Sequence, residues 1–241
     1  MSRFDPKALA HVLPTLLDKA ATKQTNLAAG YVHRVRASHP GAIPAQVIAT
    51  LDRNYRATVT GGGAAAGAAA VAPGVGTAAA LALNVAEVGW FLEATVLYVL
   101  AIAEVHQLDV TDPERRRTLL LAVITGNGLS GSVAKLAGHT GPHAASQMIT
   151  KIPMSAIRAI NKVLGRNFVT KYGTKQGVLV LGRELPLGLG AAIGAAGNAV
   201  VGSLTIRTAR AVFGAAPDDW PDAAASPGPD DGEPDAVVSA R

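Results

Sequence analysis

The sequence contains no cysteine, which excludes disulfide bonds, cysteine-based zinc sites and iron–sulfur clusters. Aromatic residues make up only 4% of the chain and charged residues only 16%, whereas a typical soluble domain has about 25% charged residues. The mean hydropathy of +0.27 excludes a chain that is disordered throughout. The 241 residues are enough for one large domain or two small ones.

Acidic residues are absent between Glu114 and Glu184, although this stretch holds eleven basic residues. A surface without acids cannot be neutralised by ion pairs, so it attracts the phosphates of lipid head groups or of nucleic acid. Nine of the bases are candidates for binding anionic lipid or a partner protein: Arg115, Arg116, Arg117, Arg158, Lys162, Arg166, Lys171, Lys175 and Arg183.

The opposite charge is concentrated at the C-terminus, where residues 215–241 hold seven acids and one base. This segment is rich in Pro, Ala, Gly and Asp, so it has little to bury and is predicted to be a disordered acidic tail. The remainder divides into an N-terminal helical extension, 1–44, and a helical domain, 45–214. Charge at Arg3 and Asp5 without a following apolar segment predicts no export signal and a cytoplasmic protein.

Capping and breaking residues predict an all-α fold, a compact multi-helix bundle with long Ala- and Gly-rich helices. Breaks are predicted at His39–Pro40–Gly41 and at Gly126–Asn127–Gly128. Helices are predicted to begin at Asp5–Pro6 with a kink at Pro14, near residue 22, at Pro44, at the capping box Thr111–Asp112–Pro113–Glu114, at Pro142, at Pro153 and at Leu185.

One segment, 57–108, combines an uncharged Ala- and Gly-rich half with a strongly apolar half. The apolar half carries Glu87, Glu93 and Glu104, and each carboxylate at the centre of a membrane span would cost roughly 2.5–3.5 kcal/mol. This cost argues against a conventional transmembrane helix and makes a buried hairpin in a helical domain at least as good an interpretation. The three carboxylates are expected at helix edges or paired with bases rather than in a catalytic site.

Glycines four residues apart recur in this segment and in the uncharged run 185–206. The pairs are Gly63 with Gly67 and Gly190 with Gly194. This spacing places the glycines on one helix face, where helix backbones can approach closely. The pattern fits both a soluble bundle and association within a membrane.

The segment from Pro153 to Arg166 has the clearest amphipathic pattern. At 100° per residue, Arg158, Lys162 and Arg166 fall within about 80° of one another, and the aliphatic residues fall on the far side. A basic amphipathic helix is typical of a membrane-surface or partner-binding element. An ordinary domain helix with a solvated basic face remains the alternative.

Several short motifs occur in the basic half of the chain. They are Asp112–Pro113–Glu114–Arg115–Arg116, Ile160–Asn161–Lys162–Val163–Leu164–Gly165–Arg166, Lys171–Tyr172–Gly173, Leu181–Gly182–Arg183 and Gly190–Ala191–Ala192–Ile193–Gly194 with Asn198 and Thr205. In these motifs the chain resembles the EcsC family over about residues 45–214. The resemblance implies a bacterial, mostly helical protein whose family name comes from an ABC-transporter operon, and it brings no catalytic residues.

Motifs for metal, cofactor or nucleotide binding are incomplete. The turn 126–131 has the Gly spacing of a dinucleotide-binding motif but no acid about twenty residues later, and 177–184 has P-loop spacing with Arg183 and Glu184 in place of Lys and a hydroxyl. His139 and His143 are separated by Gly141–Pro142, which disfavours a helical zinc pair. No catalytic residue, metal or cofactor is therefore predicted.

The favoured function is a non-enzymatic, membrane-associated protein that docks on anionic lipid, peripheral at the inner membrane. Insertion of the glycine-spaced helices and homo-oligomerisation stay open. One alternative is a cytoplasmic accessory subunit of a membrane transporter or other complex, and another is a hydrolase-type enzyme with an unrecognised site. Nucleic acid is disfavoured as a partner, because Phe168 and Tyr172 are the only aromatic residues available for base stacking in 115–183.

Overall fold

The computed structural model describes residues 6–69, 77–125, 145, 150–168 and 189–220. Across these ranges the protein is all-α, which confirms the predicted helical bundle. Six helices are described: α1 (Pro6–Ser38), α2 (Pro44–Ala69), α3 (Thr77–Val105), α4 (Pro113–Ile124), α5 (Met154–Asn167) and α6 (Leu189–Phe213).

Helix α3 is the central element, because it packs against α1, α2, α4 and α6. Side chains such as Leu92, Val96 and Val99 are completely buried. The window Val88–Val105 is long and apolar enough to cross a membrane, and 67% of it is buried inside the protein. Helices α2 and α3 pack against each other, as expected for the predicted hairpin, and α3 packs still more extensively on α1.

Helix α1 differs from the prediction of two helices with a junction near residue 22. It is one helix of 33 residues that continues through Pro14. Proline inside a helix costs about 3 kcal/mol. A continuous stripe of buried residues offsets this cost along α1, which packs mainly on α3: Leu17, Ala20, Ala21, Ala28, Val32 and Val35.

The turn between α1 and α2 lies at the predicted break, where Gly41 adopts φ +79°. Helix α4 begins one residue later than the predicted capping box requires. The N-cap is Asp112, whose Oδ1 accepts a hydrogen bond from the Arg115 backbone N–H at 2.8 Å. Pro113 occupies the first helical position, which places the cap at the residue before it rather than at Thr111.

The remaining boundaries agree where they are described. Helix α4 ends at Ile124, next to the predicted break, and Pro153 is the N-cap of α5. The predicted helix start at Pro142 and residues 185–188 of the last predicted helix lie outside the described residues.

The described residues continue to Trp220, into the segment that the sequence assigns to a disordered tail from 215. The indole Nε1–H of Trp220 donates to the Ala42 carbonyl at 2.8 Å. The Arg36 guanidinium lies 4.0 Å from the centroid of the same ring. These contacts tie the end of α6 to the α1–α2 turn, and residues 221–241 lie outside the described part of the chain.

Candidate functional site

Helix α5 divides cleanly into a buried apolar face and an exposed basic face, as its sequence predicts. Ile157, Ile160 and Leu164 are completely buried and form the inner face of a helix that packs on α4. The basic face, which we define as Arg158, Lys162 and Arg166, is exposed. The helix itself contains no acidic residue.

Asn161 fixes the position of α5 on α4. Its Nδ2 donates to the backbone oxygen of Glu114 at 2.9 Å and to Glu114 Oε2 at 2.6 Å. Its Oδ1 accepts from the Thr118 hydroxyl at 2.8 Å. The Glu114 carboxylate is therefore held in an internal contact, and α5 cannot rotate without breaking three hydrogen bonds.

The three arginines of α4 are half-buried rather than exposed. Arg116 Nη1 donates to the Val110 carbonyl at 3.2 Å, and Arg117 Nη1 lies 3.6 Å from Asp18 Oδ2 on α1. Arg115 also has a partner within the protein. The structure therefore places Arg115, Arg116 and Arg117 in internal contacts and does not bring them onto the open basic face of α5.

The structure does not describe the side-chain contacts of the other predicted site residues. Lys171, Lys175 and Arg183 lie outside the described residues. Gly63 and Gly67 belong to α2, and Gly190 and Gly194 belong to α6, but their packing is not described.

Close helix packing is described at Gly62 and Gly202. A Cβ added to Gly62 would lie 2.0 Å from Trp90 Cζ3, and one added to Gly202 would lie 2.7 Å from Val59 Cγ2. Glycines therefore do allow close packing in the two uncharged segments, at Gly62 beside the predicted Gly63 and at Gly202, eight residues after the predicted Gly194.

A hydrogen-bonded charge network with a buried carboxylate and an exposed arginine joins α2, α3 and α6. Asp52 is buried, and its Oδ1 accepts from the Tyr98 hydroxyl at 2.6 Å. Arg210 donates to Asp52 Oδ2 from Nε at 3.0 Å and also from Nη2. Sequence reasoning missed this network, because Asp52 and Arg210 are 158 residues apart and no local pattern connects them.

Tyr55 and Tyr98 stack beside this network, with ring centroids 4.4 Å apart and planes inclined by 15°. The Tyr55 hydroxyl lies 2.9 Å from Thr95 Oγ1. Burial raises the pKa of Tyr55 to about 12. Burial and the hydrogen bond to Asp52 raise the pKa of Tyr98 further above its ordinary value.

A cavity of about 220 Å³ lies between α1, α2 and α3. Its described lining includes the side chains of Gln24, Tyr31, Tyr55, Trp90, Glu93 and Tyr98. Glu93 Oε2 pairs with Lys23 Nζ at 2.9 Å, which confirms for this residue the predicted pairing with a base. Glu104 is exposed, and the Glu87 side chain is not described.

Comparison of the chain with known protein families, with curated proteins and with solved structures finds no match. The EcsC resemblance rests on the short sequence motifs.

No group of three or more potential metal ligands occurs in the part of the chain that the structure describes. His139, His143 and the glycine-rich segments 126–131 and 177–184 lie outside that part. The described residues offer two features suited to binding: the exposed basic face of α5 and the aromatic cavity between α1, α2 and α3.

Proposed function

We propose that the protein is a non-enzymatic, EcsC-like peripheral protein of the cytoplasmic membrane surface that docks on anionic lipid through the basic face of α5. The observation that carries this proposal is the exposure of Arg158, Lys162 and Arg166 together on one side of a helix whose other side is buried. The sequence around α5, from Arg115 to Arg183, contains no acidic residue, so this part of the chain adds no negative charge of its own.

The expected affinity is modest and depends on salt. Each base at an anionic surface contributes about 1 kcal/mol, so three contribute roughly 3 kcal/mol, and screening by salt reduces that value. Lys171, Lys175 and Arg183 are candidates to add to this interaction.

Peripheral docking is favoured over insertion because most of the apolar surface of α3 is already covered by other helices of the bundle. The window Val88–Val105 is largely buried against other helices, and exposing it to lipid would require opening the bundle. Fixing α5 through Asn161 and Glu114 allows the basic face to approach a membrane without rearrangement of the core.

An accessory subunit of a membrane complex is the second candidate. Val200 and Leu204 lie one turn apart on α6 and are 60% and 45% exposed. Neighbouring exposed aliphatic residues are a feature of protein contact surfaces.

The test is flotation of the purified protein with vesicles of phosphatidylcholine alone and with vesicles containing phosphatidylglycerol, at low and high salt. The key variant is R158Q/K162Q/R166Q. The matched control is R34Q/R56Q/R207Q, which removes three exposed arginines from other helices. We expect flotation only with anionic vesicles at low salt, lost in the α5 variant and retained in the control.

Other outcomes would each reject a part of the proposal. Equal loss in both variants would assign the effect to net charge rather than to α5. Flotation that resists high salt on both vesicle types would point to insertion. No flotation would favour the accessory-subunit function, which co-purification with a membrane protein would then test.

A further inference from the structure

Aromatic residues are scarce in this chain, yet they collect around one cavity. The chain has four tyrosines, two tryptophans and four phenylalanines. Tyr31, Tyr55, Tyr98 and Trp90 all line the cavity between α1, α2 and α3. Three of the four tyrosines and one of the two tryptophans thus contribute to the lining of one small cavity.

Among the described lining residues of this cavity, Glu93 is the only one that carries a charge. Glu93 contributes a carboxylate, and the described lining contains no basic residue. Gln24 is 5% exposed, and its side-chain oxygen is buried without a hydrogen-bond donor. The hydroxyl hydrogen of Tyr98 is directed to Asp52, away from any ligand. Besides its hydroxyl and N–H groups, the cavity therefore combines aromatic rings with one carboxylate and one amide oxygen that lacks a donor, and this combination attracts positive charge.

The aromatic lining is held in place before any ligand binds. Tyr55 and Tyr98 are stacked, and Tyr98 is bonded to the Asp52–Arg210 pair. The Trp90 ring lies directly against the backbone of α2 at Gly62, where a side chain would collide with it. Trp90 nevertheless remains 40% exposed, so the cavity is reached from solvent beside a fixed ring.

We propose that this cavity binds a small alkylammonium cation of the choline type. Aromatic faces attract ammonium groups through the ring quadrupole, and a carboxylate beside them adds charge complementarity. A volume of about 220 Å³ is smaller than the roughly 300–1,000 Å³ of typical drug-sized pockets, so the cation must be compact. This inference concerns a different surface from the basic face of α5 and does not depend on it.

The Lys23 ammonium pairs with the Glu93 carboxylate at the rim of the cavity. Its side chain is 59% exposed and that of Glu93 is 40% exposed. Exposed ion pairs contribute little to stability, so a ligand cation can replace the Lys23 ammonium at small cost. Removing the Lys23 charge should leave binding unchanged or make it tighter.

The test is isothermal titration calorimetry of the full chain with choline and with 3,3-dimethylbutan-1-ol, its uncharged isostere. We expect choline to bind at least tenfold more tightly than the alcohol. Glu93→Gln should weaken choline binding roughly five- to tenfold, as expected for loss of one charge contact. Glu104→Gln, which removes an exposed carboxylate from the same helix, should have no effect, and Lys23→Gln should not weaken binding.

Equal affinity for choline and the alcohol would overturn the proposal, because it would show that charge is not recognised. The absence of choline binding, or equal losses in Glu93→Gln and Glu104→Gln, would overturn it as well. If choline binds as expected, flotation on phosphatidylcholine vesicles separates the two sources of the cation. If the protein floats on these vesicles and Glu93→Gln abolishes flotation, the bound cation is the lipid head group. If the protein does not float, the bound cation is a free solute.

Discussion

Asn161 and Asn198 are both buried asparagines, but only the side chain of Asn161 has hydrogen-bond partners. Asn161 makes three hydrogen bonds that join α5 to α4. Asn198, on α6, is 1% exposed, and both of its side-chain polar atoms are buried without a partner. An unsatisfied buried polar group costs about 1–3 kcal/mol, so the same residue type stabilises at one site and destabilises at the other.

Leucine substitution should separate these two roles. We expect Asn198→Leu to raise the free energy of unfolding by about 1–3 kcal/mol, since it replaces unsatisfied atoms with an apolar group of similar shape. Asn161→Leu should lower it by about 2–3 kcal/mol, because it leaves Glu114 and Thr118 without their partner. Urea denaturation of both variants measures the two changes. Destabilisation by Asn198→Leu would contradict the absence of a partner at that position.

The stacked tyrosines predict a loss of stability at alkaline pH. The folded pKa of Tyr55, about 12, lies above its unfolded value near 10, so the unfolded chain loses its proton first. The resulting stabilisation is complete below pH 10 and is lost as the pH rises towards 12 and beyond. For Tyr55 alone the loss amounts to about 2–3 kcal/mol, and Tyr98 shifts in the same direction.

Phenolate absorbance at 295 nm, followed together with the unfolding free energy from pH 9 to 12, measures this effect. Tyr55→Phe should flatten the decline in stability, whereas Tyr31→Phe, outside the stacked pair, serves as the control. Titration of all four tyrosines near pH 10 in the folded protein would contradict the burial of the pair.

At the scale of the helices, Gly202 determines how closely α6 approaches α2. A Cβ at this position would lie 2.7 Å from Val59 Cγ2, and Val59 is completely buried with a stiff β-branched side chain. Helix α2 packs more extensively on α6 than on any other helix, so a local shift is transmitted along a long interface.

Alanine substitutions at two glycines should therefore have opposite effects. Gly202→Ala should lower the thermal midpoint, because overpacking costs about 1–3 kcal/mol and outweighs the gain of about 1 kcal/mol in helix propensity. Gly61→Ala, on α2 with open space around it, should raise stability by about 0.5–1 kcal/mol. Differential scanning calorimetry compares them, and a stabilising Gly202→Ala would show that the interface can move apart without loss.

Local sequence signals predicted the helices well and their tertiary partners poorly. Pro44, Pro153 and Gly41 act through backbone geometry within a few residues, so their effects are readable from the sequence. The unbroken α1 was missed because its buried stripe continues from Leu17 to Val35 through the junction predicted near residue 22, and packing on α3 along this stripe is not readable from the local sequence. The basic face of α5 was predicted by a periodicity within one helix.

The cavity and the Asp52–Tyr98–Arg210 network were not predicted, and the reason is distance along the chain. The cavity joins Gln24, Tyr55 and Trp90 from three helices, and none of these residues belongs to a recognisable motif. The internal contacts of the α4 arginines could not be predicted from the sequence either, because Arg117 pairs with Asp18 on α1, far away along the chain.

At the scale of the whole molecule, Trp220 links the C-terminal end of the described chain to the α1–α2 turn. We expect Trp220→Ala to lower the free energy of unfolding by about 2 kcal/mol, since it removes a hydrogen bond and a cation–π contact. Trp220→Phe keeps a ring beneath Arg36 and should lose about half as much. Guanidinium denaturation distinguishes the two, and equal midpoints for the wild type and both variants would exclude a stabilising link.

The pairing of α2 with α6 also sets a time scale for synthesis. Asp52 and Arg210 are 158 residues apart, and a ribosome adding roughly 5–20 residues per second needs roughly 8–30 s to cover that distance. Throughout this interval α2 has no α6 against which to bury Tyr55 and Val59. The nascent chain therefore exposes an apolar face for seconds, long enough for chaperones to bind it before the last helix leaves the ribosome.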